Sequence, residues 1–183
     1  HMTKAEIEQK LKDTLGAEKI IWLPYGIYND ETNGHIDNIC AFTSETDVVL
    51  AWTDDENDPQ YKLSSACLKA LENSTTADGR KITVHKLPLP KPVLITEHEC
   101  EGLDTMDGLP TRTANERLAA SYVNFYISNG AIVMPFFNDK NDEIARNILA
   151  SLFPTREVIG VYARDILIGG GNFHCLTQQI PLS

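Results

Sequence analysis

One order of elements recurs along this chain, and the recurrence restricts its possible folds more than any other feature. Apolar stretches at residues 20–23, 39–42 and 48–52 read as strands, the last two parted by a polar turn at 44–47. Asp58-Pro59 opens a helix, with Asp58 as its cap, Pro59 in its first turn, and Leu63, Cys67, Leu68 and Leu71 directed inward. A strand at residues 82–87 follows. The second half repeats the order: strands over 121–128 and 131–137 flank Asn129-Gly130, a strong signal for a tight hairpin. A helix over 141–153 spaces Ile144, Ile148 and Leu152 four apart, and a strand returns at 158–162. A third unit begins near Asp165 and is unfinished. Units that cannot bury their own apolar faces stack beside one another. The repetition therefore predicts an α/β fold, a partial propeller or ring of strand-strand-helix-strand modules, rather than a doubly wound sheet.

The first residues form a separate piece. Thr3 and Glu6 make a capping box, Ile7, Leu11 and Leu15 follow at helical spacing, and Gly16 is placed to end the helix, so residues 3–15 are predicted helical. His1-Met2 has the look of a cloning scar. The chain thus divides into an amino-terminal helix, residues 1–18, and a main body, residues 19–183. Residues 88–118, rich in Pro, Thr, Glu and Gly, are long for a plain connection and read either as a lid or binding loop or as a surface excursion.

A chain of 183 residues, 42% of them hydrophobic, can bury one ordinary core. No apolar run reaches bilayer length and no charged-then-apolar leader precedes the first helix, so a cytoplasmic protein with no membrane partner is expected. With 26 acidic against 16 basic residues the formal net charge is −10, which disfavours nucleic acid and suits cationic ligands. Cys40, Cys67, Cys100 and Cys175 are too widely and irregularly spaced for a disulfide scaffold, and free thiols are expected. His98, Cys100, His174 and Cys175 lack zinc-knuckle spacing, while Asp54, Asp55, Glu56 and Asp58 lack the alternation and closing Glu of a calcium loop. No metal or other cofactor is expected, and these acids read as shaping a turn and capping the second helix. Trp22, Trp52, Tyr122, Phe125 and Tyr126 read as core or strand-face residues.

Cys175 carries the chemical interest. It follows Ile168-Gly169-Gly170-Gly171-Asn172-Phe173-His174, read as an apolar strand running into glycines that expose backbone amides and allow close approach. A thiol nucleophile must be ionised, and its reference pKa of about 8.5 calls for a nearby cation or base. Adjacent residues of an extended chain face opposite ways, so His174 reads as a packed or hydrogen-bonded side chain rather than as that partner. His35 fits better: in an extended segment His35 and Asp37 share one face, placing an acid/base imidazole beside a carboxylate. From spacing alone a structural reading of these residues stands beside the catalytic one.

The run Gly26-Ile27-Tyr28-Asn29-Asp30-Glu31-Thr32-Asn33-Gly34-His35-Ile36-Asp37-Asn38 is similar to the histidine motif of agmatine deiminases, and residues 50–61, 117–124 and 169–179 also resemble that family in order and spacing. The resemblance implies a guanidine-modifying enzyme of the pentein type, whose ring of five modules encloses one site, with this chain supplying the carboxy-terminal half. It implies Cys175 as nucleophile, His35 as acid/base and Asp37 as a guanidinium-binding carboxylate, with Thr32 and Gly170 lining the pocket. Its substrate would be a small cationic guanidine, agmatine, hydrolysed through a covalent cysteine thiouronium. The family's amino-terminal half, with further acidic residues, has no counterpart here. Little activity is therefore expected of this chain alone, and self-association or pairing with a complementary amino-terminal half is expected. A deiminase or amidinotransferase acting on another guanidine, such as peptidyl-arginine, and a non-catalytic assembly module are the alternatives.

Overall fold

The predicted capping box forms. In the computed structural model, which describes residues 2–30, 33–103 and 112–180, Thr3 Oγ1 accepts from the Glu6 amide and Glu6 Oε2 accepts from the Thr3 amide. They open helix α1 (Lys4–Leu15), which ends at Gly16 in the left-handed conformation, φ 67°. α1 buries no residue, and Leu15 at its end is 70% exposed. Trp22 is not core either: it is 44% exposed, donates from Nε1 to Glu8 (2.6 Å) and lies under the Lys4 ammonium. Residues 20–23 join no sheet; Ile21 and Leu23 pack partly on the core without a strand partner.

Strands buried on both faces need apolar residues without alternation, and residues 48–52 supply them. After the edge strand β1 (Cys40–Phe42), strand β2 (Asp47–Trp52) fully buries Val48, Val49, Leu50 and Ala51. Asp58 caps α2 (Pro59–Glu72) by accepting from the Gln60 amide (2.9 Å), and Cys67 and Leu71 reach the core. The sheet closes its order with β3 (Thr83–Pro88): β1 and β2 are antiparallel, β2 and β3 parallel. Further along lie the short helix α3 (Glu97–Glu101) and a second three-stranded sheet. Its strands are β4 (Tyr126–Ile127), β5 (Ala131–Phe136) and β6 (Glu157–Tyr162), with helix α4 (Asn141–Leu152) between β5 and β6. β4 and β5 are antiparallel, β5 and β6 parallel, and one continuous core joins the two sheets, with α4 packed on both β6 and β3. The architecture is α/β with small sheets. No sheet closes on itself among the described residues, so a propeller is not seen.

Several local expectations change. The hairpin at Asn129-Gly130 forms, with Ser128 N donating to Ala131 O (2.9 Å), yet neither loop residue takes a positive φ. The expected strand over 121–128 shrinks to two residues, because Ser121 makes a local turn: its hydroxyl accepts from the Val123 amide (3.2 Å) and its carbonyl from Asn124. On α4 the buried stripe runs through Ala145 and Leu149, and Ile144 is half exposed; the apolar face is centred one residue on from the spacing read in sequence. Residues 164–168 form helix α5 (Arg164–Ile168), not an apolar strand. The described part of 88–118 is tied down. Arg164 grips both oxygens of Glu99 (2.6 and 2.7 Å), and that guanidinium, with the Thr96 amide, holds the Glu99 carboxyl down at about 2. Ile95, Leu118, Ala120 and Leu167 bury a small second core beneath.

Tyr122 replaces the missing strand as an anchor. It is fully buried, and its hydroxyl donates to Asp142 (2.6 Å), which also accepts from the Phe137 and Asp139 amides. Tyr122→Phe should lower stability by about 1–2 kcal/mol, read as a fall in Tm, since Asp142 keeps two of its three donors.

Candidate active site

Two turns from opposite ends of the chain meet, the first packed on β1 of one sheet and the second on β5 of the other. The first begins at Gly26, where a Cβ would stand 2.6 Å from the Gly34 Cα; Gly34 itself holds φ 82°. The contact leaves no room for a side chain at position 26, and the left-handed φ favours glycine at position 34. The loop is then pinned to its neighbours. The Tyr28 amide donates to the fully buried Gln60 side chain (2.5 Å), and Asn29, at φ 57°, donates to the Arg117 carbonyl (2.9 Å). Arg117 in turn pairs with Asp58 (2.7 Å), the residue that caps α2. So residues 26–30, 33–38, 58–60 and 116–117 form one assembly, and it ends in a single 3-10 turn, Ile36–Asn38, that presents Asp37.

The second turn follows α5. The amides of Gly169 and Gly170 close it by donating hydrogen bonds to the carbonyls of Ile166 and Leu167, Gly170 takes φ 100°, and Asn172 leads into a four-residue helix, α6 (Phe173–Leu176). A helical turn, unlike a strand, brings neighbouring side chains to the same partner. Cys175 Sγ stands 3.2 Å from Asp37 Oδ2, and His174 Nδ1 stands 2.9 Å from the same oxygen. A carboxylate only accepts, so Nδ1 of His174 carries the proton in that contact. The hydrogen-bonded reading of His174 holds, but the extended geometry on which it rested does not.

Asn124 lies fully buried between the turns. Its Oδ1 accepts from the amides of His174 (3.0 Å) and Cys175 (3.4 Å), and its Nδ2 donates to Cys175 Sγ (3.2 Å) and to Asn38 Oδ1 (3.1 Å). Gly171 packs directly on the cysteine: a Cβ there would fall 2.7 Å from Cys175 Cβ and 3.1 Å from Sγ. Cys175 is exposed as a residue, yet its sulfur rests against this wall. Burial pushes its thiol up and the Asp37 carboxylate adds to that, while the Asn172 amide and Asn124 pull it down. Cys40 and Cys67 are buried free thiols, and burial with the neighbouring Cys67 pushes Cys40 up to about 12. Asp37 Oδ1 is buried and has no hydrogen-bond partner among the described residues, which leaves an acceptor for a cation.

Of the other expected site residues, His35 and Gly170 belong to the same two turns. His35 stands at the start of the Asp37 turn, exposed, with its amide donating to Asp30 (3.2 Å); among the described residues its imidazole makes no hydrogen bond. The 3-10 turn replaces the extended segment in which His35 and Asp37 would share a face. Gly170 shapes the second turn, Gly171 is the glycine against the sulfur, and Thr32 lies outside the described residues. Asn38, Asn124 and Gly171 were not singled out by spacing. Asn124 does end the run 117–124 that resembles the deiminases, and Gly171 is one of three consecutive glycines. Among the described residues no cluster of three or more His, Cys, Asp or Glu is placed to hold a metal, and no helix is long and apolar enough to cross a membrane. A hollow of about 760 Å³ between residues 15–23, β1 and the end of α2 is largely apolar and includes neither Asp37 nor Cys175.

A family model for Porphyromonas-type peptidyl-arginine deiminase matches residues 1–181. The chain belongs to that family. Among its relatives, a Latilactobacillus sakei protein provisionally named agmatine deiminase is 59% identical over 98% of this chain and 49% of its own length. An agmatine deiminase structure from Enterococcus faecalis superposes with a TM-score of 0.93 at 38% identity, covering 98% of this chain and 49% of that one. An agmatine deiminase from C. jejuni, with a cysteine changed to serine and substrate bound, superposes at 0.75 and 32% identity, covering 95% and 45%. The chain spans about half the length of the curated relatives it matches.

Proposed function

We propose that this chain carries the nucleophile of an agmatine deiminase, which converts agmatine and water to N-carbamoylputrescine and ammonia. One observation carries the reading: the sulfur of an exposed cysteine stands 3.2 Å from a carboxylate whose other oxygen is buried and has no hydrogen-bond partner among the described residues. A planar guanidinium is the ligand such a pair suits. Asp37 accepts its N–H groups and fixes its plane, bringing the electrophilic carbon toward Cys175. In the free protein the thiol keeps its proton, because burial and the Asp37 charge both oppose ionisation. The bound cation neutralises Asp37 and favours the thiolate, the thiol proton passing to His35.

The thiolate then adds to the guanidinium carbon, and the C–N bond to the terminal nitrogen breaks as that nitrogen leaves as ammonia after protonation by His35. A thiouronium remains on Cys175. Water that gives its proton to His35 adds to the same carbon, and the C–S bond breaks to release the ureido product and the thiol. The substrate-bound cysteine-to-serine agmatine deiminase from C. jejuni supports a cysteine-based route. The resemblance also supports a ring of modules completed by a second half, with self-association or a complementary chain filling the open edge, and a cytoplasmic setting.

An amidinium electrophile tests the reading. Chloroacetamidine should alkylate Cys175 faster, relative to neutral iodoacetamide, than it alkylates Cys100, and millimolar agmatine should slow it. A peptide containing arginine should protect less. Equal electrophile ratios at both cysteines, with no protection by agmatine, would end the assignment; better protection by the peptide would turn it toward peptidyl-arginine. Ureido product from this chain alone should be scant, because half of the relatives' length is not present in it.

A further inference from the structure

We propose that Asn124 is a positioning residue for the reaction, clamping the amides of His174 and Cys175 with its oxygen and donating to the Cys175 sulfur with its nitrogen. The inference rests on Cys175 being the nucleophile. All four hydrogen-bonding directions of the carboxamide are used, at 3.0 and 3.4 Å on the oxygen and 3.1 and 3.2 Å on the nitrogen. The amide orientation is determined by its partners. Turning it over would point N–H groups at two backbone N–H donors and face its oxygen to the Asn38 oxygen.

Two consequences follow from this saturation. The carboxamide joins the turn bearing Asp37 to the turn bearing Cys175 through a side chain with no exposure, so the gap between carboxylate and sulfur is set by a rigid, buried link. It also supplies a neutral N–H donor that favours the thiolate against the Asp37 charge. The titratable groups beside the sulfur are Asp37, from the 3-10 turn, which it touches, and His174, from α6 itself, which bonds the same Asp37 oxygen. β5, which packs on α6, offers only uncharged residues over Ala131–Phe136.

Asn124→Asp separates positioning from packing. It keeps the shape and the oxygen that accepts from the two amides, but replaces the donor to sulfur with an anionic acceptor. Alkylation of Cys175 in the 183-residue chain by iodoacetamide, followed across pH by mass spectrometry of the Cys175 peptide, reads the thiolate directly. The midpoint should rise by at least about one unit, a roughly tenfold slower reaction at neutral pH. Asn124→Ser, whose hydroxyl is too short to reach the sulfur, should move it the same way and serves if the aspartate variant does not fold. A folded variant that loses Tm but keeps the unsubstituted midpoint would reduce Asn124 to a structural residue and overturn the proposal. Agmatine protection of the unsubstituted chain tests the deiminase reading separately, so failure there and an unmoved midpoint here are distinct results.

Discussion

Replacing Gly171 with alanine is expected to slow the reaction of Cys175 with chloroacetamidine by up to about a hundredfold while leaving Tm nearly unchanged. Gly171 does not occupy the left-handed region, so alanine is permitted by the backbone there, and the effect comes from space alone. The added methyl would lie 2.7 Å from Cys175 Cβ and 3.1 Å from Sγ, the first closer than carbon atoms tolerate. Asn124 holds the amides on one side of the cysteine and Asp37 stands on the other, so relief must come from moving the sulfur. A displacement approaching 1 Å is enough to lose about two orders of magnitude in a reaction that depends on alignment. Gly171 is half-buried in a turn outside both cores, which is why the fold should tolerate the change. Unsubstituted labelling rates in Gly171→Ala would show that the glycine has no part in placing the nucleophile.

Asp37→Asn should move two measurements in opposite directions. Protection of Cys175 by agmatine should weaken by about 10²–10³-fold, because the cation loses a buried carboxylate partner, a change that typically costs 2–5 kcal/mol. Iodoacetamide, which is neutral, should react faster. Asp37 raises the thiol pKa through its hydrogen bond and its charge, so removing that charge lowers the pKa; at a pH below the midpoint each unit lowered gives about tenfold more thiolate. Burial, the largest cause of the raised value, remains in the variant, so the return toward the ordinary range should be partial. Slower alkylation in Asp37→Asn, measured at pH 7 on the Cys175 peptide, would contradict the carboxylate's place beside the sulfur.

Where one residue decides a local structure, the sequence was sufficient. Thr3 with Glu6, and Asp58 with Pro59, specify helix starts because each cap is satisfied within three residues of itself. The uninterrupted Val48–Ala51 run declares a strand covered on both faces, and Asn129-Gly130 a hairpin. Periodicity misled where segments were too short to show a period. Residues 165–168 and 173–176 are single helical turns that read equally well as extended chain, and that difference reversed the geometry inferred for His174. The 121–125 stretch was lost to a serine side chain competing for the backbone, which apolar content does not reveal.

The sequence by itself determined the three longer helices, the order of the six paired strands and the acidic character, and it singled out Cys175, His35 and Asp37. Only the tertiary structure decided that Cys175 and Asp37 would touch. They are 138 residues apart, each in a turn of three or four residues, and their 3.2 Å separation is settled by what packs beneath those turns: the Gly26–Gly34 contact, the Arg117–Asp58 pair and the buried carboxamide of Asn124. Helix and strand signals come from neighbours along the chain, within about one turn or one hairpin. A site assembled from loops takes its geometry from contacts across the core, and no local period encodes them.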